Sequence, residues 1–338
     1  MTTLVTGATG FLGSALVTEL VKRHEQVRIL ARNEKQARQI FGATVTIIPG
    51  EITDTAQIQR AVDGATTIYH LAGCLYHPSI SAELYRHVHV EGTCTVLRAC
   101  REQSQLQRIV HVSTTGVFGV TGEVPASENA PFAPTNPYEV TKLQGEQIAL
   151  KAYKEQGLPV TVARPGLVYG PGDLHLLGFF AAINKGMFRV INGGSALLHP
   201  VYIDDQITAF LLCARPLMAI GRSYNIAGEH PVTIRELAEA IAHALGKSLP
   251  PGSIPLWFAN LASDIFARTP GMRGEHAPLT RSRVDFLTHS RIYDINRARA
   301  ELGYSPAIGL EEGMELTAAW YKKHCYLEDS ARRRSIAR

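Results

Sequence analysis

The chain has 338 residues, 45% of them hydrophobic and 19% charged, with a formal net charge of +4. That suits two domains, or one large domain with an elaborated second lobe, in the composition range of an ordinary soluble enzyme. The small charge, with no basic stripe interleaved with aromatics, argues against nucleic acid as a partner. No apolar run is long enough to span a bilayer, and five scattered cysteines without metal-type spacing read as reduced thiols of a cytoplasmic protein.

Met1 to Val5 reads as a strand, Thr6-Gly7-Ala8-Thr9-Gly10-Phe11-Leu12-Gly13 as a glycine-rich turn, and Ser14 to Arg23 as a helix. The turn begins six residues in, which leaves no room for a cleavable signal before it. Strand, turn and helix is the context a dinucleotide fingerprint requires. Gly7 takes backbone angles closed to other residues, Gly10 lets the main chain approach a diphosphate, and Gly13 lets helix pack on strand. The N–H groups that open the helix, from Thr9 through Phe11 and Leu12, face the phosphates with a partial positive charge. The second strand is Val27 to Leu30. Coenzymes without a 2′-phosphate usually meet an acid just beyond it; here the positions hold Ala31 and Arg32. A guanidinium there suits NADP over NAD; the alternative is a solvated surface arginine.

Thr44 to Pro49 is the third strand, followed by a helix capped by Asp54. The fourth, Thr67 to Leu71, runs into Ala72-Gly73. His70 at its end is either a coenzyme contact or a hydrogen-bonded core residue. A long helix covers about 81–103, and Ile109 to Ser113 is the fifth strand. The segment 116–137 is loop. A helix from Asn136-Pro137 to about Gln156 and a sixth strand, Pro159 to Arg164, complete an α/β half with a doubly wound, Rossmann-type parallel sheet. The expected division is a coenzyme domain over 1–165 with a return segment at about 199–215, a smaller interleaved substrate lobe over 166–330, and a basic tail over 331–338. The apolar pieces at 174–187 and 255–266 line a pocket or fill the core, and the second could touch a membrane surface.

The chemistry centres on Tyr138-Glu139-Val140-Thr141-Lys142. Tyrosine and lysine four apart share a helix face. An ammonium at about 4 Å supplies roughly the 4 kcal/mol needed to bring a phenol to neutral pKa. The hydroxyls of Ser113-Thr114-Thr115 end the fifth strand, at the edge where ligands of such sheets bind.

With these pieces, and His70-Leu71-Ala72-Gly73, Val90-Glu91-Gly92-Thr93, Arg164-Pro165-Gly166-Leu167-Val168-Tyr169-Gly170 and Tyr293-Asp294-Ile295, the chain resembles the extended short-chain dehydrogenase/reductase family. Within it, the chain looks most like the 3β-hydroxysteroid dehydrogenase-like and dihydroflavonol reductase-like members. The resemblance implies Tyr138 as acid/base, Lys142 as its partner and a ribose ligand, and Thr114 as the group that orients substrate. It places Glu51 and Ile52 at the adenine, Leu71, Ala72 and Gly73 along the coenzyme, and Pro165, Leu167 and Val168 at the carboxamide. It further implies a homodimer through helices at about 81–103 and 136–156.

Two departures matter. The family usually has asparagine where His89 stands, and His89 either substitutes for it or fills space. His87, two residues away, faces elsewhere, and no metal is expected. Sugar-nucleotide epimerases carry asparagine where this chain has Leu167, which disfavours a diphosphate there. Arg281, Arg283 and Arg291 nevertheless leave an epimerase reading open. The implied function is interconversion of a secondary alcohol and a ketone on a hydrophobic substrate. The alternatives are a sugar-nucleotide epimerase with tightly held NAD, and a non-catalytic coenzyme sensor.

Overall fold

The computed structural model describes residues 2–77, 79–269 and 279–327. The basic tail at 331–338 lies outside the described residues. The first half alternates β1 (Thr2–Thr6), α1 (Phe11–Lys22), β2 (Gln26–Ala31), α2 (Glu34–Phe41), β3 (Thr46–Pro49), α3 (Thr55–Val62) and β4 (Thr67–His70). It continues through α4 (Ala82–Arg86), α5 (Gly92–Cys100), β5 (Arg108–Val112), α6 (Pro137–Gln156) and β6 (Val160–Pro165). The second half contains β7 (Leu167–Tyr169), α7 (Leu177–Asn184), β8 (Leu197–Leu198), β9 (Pro200–Tyr202), α8 (Ile203–Cys213), β10 (Ser223–Ile226) and β11 (Val232–Thr233). It ends in α9 (Ile234–Ala244), α10 (Leu256–Arg268), α11 (Arg281–Thr288), α12 (Asn296–Leu302) and α13 (Leu310–Lys323).

Seven strands form one parallel sheet in the order β10-β6-β5-β4-β1-β2-β3. Helices cover both faces, so the inner strands are buried on both sides. One face packs Leu4, Ile68, Ile109 and Val160 against Ile58, Val96 and Ala149 of α3, α5 and α6. The other packs Val5, Val110 and Ala163 against Leu16 and Phe210, in a core that continues through Phe180 and Leu237 to Tyr321. The strand order reverses between β1 and β4, which opens a crevice at their C-terminal ends. The glycine turn after β1, the loop after β4 and the end of β5 all face it.

Helix starts follow side-chain chemistry. Asn33, Asp54 and Asn136 each accept from the backbone N–H three residues on. The expected strand and helix at 201–214 is corrected in part. α8 is there, but β9 pairs with β7 in a separate two-stranded sheet, and the strand that joins the main sheet is β10, beside β6. The long helix at 81–103 is interrupted by a π turn over His87–Glu91 between α4 and α5.

The apolar piece at 174–187 divides, with Leu176, Phe180 and Ile183 in the core and Leu174 and Met187 exposed. α10 buries only Ala259 and Ser263 and leaves Trp257, Phe258, Leu261 and Ile265 exposed, so that face is not core. No helix among the described residues is long and apolar enough to cross a membrane.

Candidate active site

The glycine turn has the shape a dinucleotide needs. Gly7 sits at φ +71°, and a Cβ there would lie 2.7 Å from the Ala72 nitrogen. A Cβ on Gly13 would lie 2.1 Å from the Gly7 carbonyl oxygen, so only glycine lets α1 pack this close. Gly10 meets nothing nearer than that same carbonyl at 3.4 Å, and its outer face is open. Gly10 is the N-cap of α1 and no side chain caps the helix, which leaves its leading N–H groups for an anion. Leu71 and Ala72 are half-buried beside the turn and Gly73 is exposed.

Arg32 lies exposed at the end of β2, directly after buried Ala31. Glu51 is exposed, its amide bound by the Gln57 side chain at 2.7 Å, and Ile52 packs on Gly92 of α5. Pro165 is buried and its carbonyl accepts from Thr115 Oγ1 at 3.1 Å; Leu167 and Val168 are half-buried in β7.

The catalytic candidates converge at the end of β5. Asn136 caps α6 and Pro137 opens it, which puts Tyr138 in the first turn and Lys142 one turn deeper. The Tyr138 phenol lies beside the Thr114 hydroxyl, which accepts from Gly116 N–H at 3.0 Å. The Tyr138 ring meets Tyr85 and His89 edge-on, with centroids 6.1 and 5.6 Å away. Lys142 is buried and its ammonium donates to the Val112 carbonyl at 2.5 Å.

Burial pushes the Tyr138 phenol up to about 12, against the lowering influence of the neighbouring Thr114 hydroxyl. The Lys142 charge is directed at the main chain of β5, and burial lowers its own pKa to about 8 against the pull of the Glu146 carboxylate. Desolvation outweighs ion pairing here, so the phenol holds its proton.

His70 is a core residue, as one of its two readings had it. Its ring is buried between Thr6 Oγ1 at 2.8 Å and Thr93 Oγ1 at 3.1 Å. His87 is exposed and paired with Glu91, while His89 is buried and hydrogen-bonded through both nitrogens. Of the arginines that kept a diphosphate site open, Arg281 is paired with Asp264 at 2.7 Å and Arg291 with Asp285 at 2.8 Å, and Arg283 is not free either. Tyr85 and Thr141 were assigned no role from sequence, although Thr141 lies inside the Tyr138–Lys142 motif and Tyr85 precedes His89 by one helical turn.

A profile of the NAD dependent epimerase/dehydratase family matches residues 3–227. The chain is 32% identical over 331 residues to a 2-alkyl-3-oxoalkanoate reductase of Stenotrophomonas maltophilia, covering 93% of this chain and 97% of that one. It is 30% identical over 348 residues to a 3β-hydroxysteroid-dehydrogenase/decarboxylase of Arabidopsis thaliana, covering 93% and 78%. Among solved structures, UDP-glucose 4-epimerase of Thermotoga maritima superposes with a TM-score of 0.78 at 22% identity, covering 96% of this chain and all of that one, a likeness of fold. The chain belongs to the NAD-dependent epimerase/dehydratase family, in the 3β-hydroxysteroid dehydrogenase-like branch of the extended short-chain dehydrogenases/reductases.

Proposed function

We propose that this chain is an NADP-dependent reductase that turns a ketone on a hydrophobic substrate into a secondary alcohol. The observation that carries the reading is Tyr138 beside the Thr114 hydroxyl, at the sheet edge where β5 meets α6, with buried Lys142 one helical turn deeper. A phenol and a hydroxyl so placed can both donate to one carbonyl oxygen. Tyr138 gives its proton to that oxygen as the carbon becomes a carbinol, and the coenzyme supplies the hydride. Lys142 binds ribose hydroxyls and keeps a positive charge beneath the site. Thr9, Phe11 and Leu12 hold the diphosphate, Glu51 and Ile52 flank the adenine, and the main chain at Pro165, Leu167 and Val168 meets the carboxamide.

The relatives support the substrate class, since one is a reductase of 2-alkyl-3-oxoalkanoates and another acts on 3β-hydroxysteroids. The test is oxidation of NADPH against a panel of 3-oxoalkanoates and 3-oxosteroids. Turnover with any of them supports the reading, and binding of a UDP-sugar with no net redox would replace it with the epimerase reading. Leu84 on α4 and Val140 on α6, both exposed, support pairing of two copies through these helices.

Arg32 carries the preference for NADP. A charged hydrogen bond of this kind contributes about 1.5–3 kcal/mol. Arg32→Ala is expected to raise the KM for NADPH by about 10- to 100-fold and to leave that for NADH within about threefold. Steady-state kinetics with both coenzymes checks this.

Lys142 sets a pH limb. Its pKa in the folded chain is about 8, below the ordinary 10.5. The ammonium is therefore present below about pH 8 and lost as pH rises through it, while the Tyr138 phenol stays protonated up to about 12. Since kcat/KM reports the free enzyme, reductive kcat/KM falls on the alkaline side of about pH 8. A profile that stays flat well beyond that point would remove Lys142 from coenzyme binding.

A further inference from the structure

Side chains hold the loop at 71–77 through three of its amides. Ala72 N–H donates to Thr6 Oγ1 at 3.2 Å, Cys74 N–H to His89 Nε2 at 3.0 Å, and His77 N–H to the Tyr85 hydroxyl at 2.7 Å. The Tyr85 hydroxyl in turn donates to the Leu75 carbonyl at 3.1 Å. Tyr85 and His89 are both buried, one helical turn apart across the start of the π turn, and both rings pack on Tyr138. Such π turns recur at functional sites.

The hydrogen bonds fix the His89 tautomer. Nε2 accepts from Cys74, so Nδ1 carries the hydrogen and donates to Thr141 Oγ1 at 2.9 Å. Thr141 Oγ1 donates onward to the Pro137 carbonyl at 2.8 Å, in the turn that carries Tyr138. Burial and the Lys142 charge lower the imidazole pKa to about 3, so it works as one donor and one acceptor throughout the neutral range.

We propose that His89 is a positioning residue, a strut that holds Tyr138 in place at the end of β5 by joining the loop after β4 to the first turn of α6. The proposal rests on Tyr138 as the proton donor.

The test measures NADPH binding, kcat and ketone KM for His89→Phe, His89→Gln and Thr141→Val. Loss of the strut is expected to lower kcat by about 100-fold in His89→Phe, because small misplacements of a reacting group cost that much, with ketone KM within about threefold of wild type. His89→Gln, which keeps a donor and an acceptor, recovers most of the rate. Thr141→Val, which cuts the other end without touching the ring, loses rate comparably, and the double variant with His89→Phe is no worse than His89→Phe alone.

Retention of wild-type kcat in Thr141→Val or in folded His89→Phe overturns the proposal, as does an additive loss in the double variant. If Tyr138→Phe is inactive while His89→Phe turns over normally, only the strut falls. If Tyr138→Phe itself turns over, the proton-donor reading falls with it.

Discussion

Tyr138→Phe is expected to bind NADPH as wild type does and to lose about 10²- to 10⁴-fold in kcat, the usual contribution of a positioned general acid. The substitution removes one oxygen. The ring keeps its edge-on contacts with Tyr85 and His89, and α6 keeps its Asn136 cap, so the fold has little reason to change. What disappears is the proton donor beside Thr114. Coenzyme fluorescence titration and steady-state ketone reduction separate the two effects. Loss of both binding and turnover would make Tyr138 a structural residue.

Glu146→Ala is expected to cost about 3–5 kcal/mol of stability, because it strands a buried charge. Arg164 and Glu146 are 2% and 1% exposed. The guanidinium reaches both carboxylate oxygens, with Nη2 to Oε1 at 2.5 Å and Nε to each oxygen at 3.1 Å. Its remaining nitrogen donates to the Glu128 carbonyl at 3.2 Å, and its face lies 5.0 Å from Phe118 and 5.3 Å from Phe132. Glu128 in turn accepts from Asn225 N–H at 3.0 Å. One cation thus binds together α6, β6, the loop at 116–136 and β10. Without that carboxylate the buried guanidinium loses the partner of its Nε and Nη2. Urea unfolding checks the magnitude; a loss below about 1 kcal/mol, the range of exposed pairs, would show that water reaches Arg164.

Much of the coenzyme half was legible in the sequence because its signals are local. Gly7, Gly10 and Gly13 mark the turn, Asp54 and Asn136-Pro137 mark helix starts, and apolar runs mark strands buried on both faces. β10 was not legible: Ser223-Tyr224-Asn225-Ile226 is short and half polar, and its pairing with β6 is non-local. The π turn was hidden because residues 81–103 show ordinary helical spacing.

The direction of the Lys142 ammonium was hidden for a related reason. Spacing puts Tyr138 and Lys142 on one face, but where the ammonium points depends on the Val112 carbonyl, an atom on another element. Likewise Arg281 and Arg291 look like free cations in sequence. Their carboxylates, Asp264 and Asp285, find them only once α10 and α11 are packed.

Net hydride transfer to a ketone is expected to depend on Tyr138. The most direct measurement is reduction of a 3-oxoalkanoate with NADPH deuterated at the transferred position of the nicotinamide, read by mass spectrometry of the product. The expected product is an alcohol that carries the deuterium at its carbinol carbon, with one NADP formed per product, made about 10²- to 10⁴-fold more slowly by Tyr138→Phe. A product without deuterium, or a substrate merely inverted with no net oxidation of the coenzyme, would contradict it.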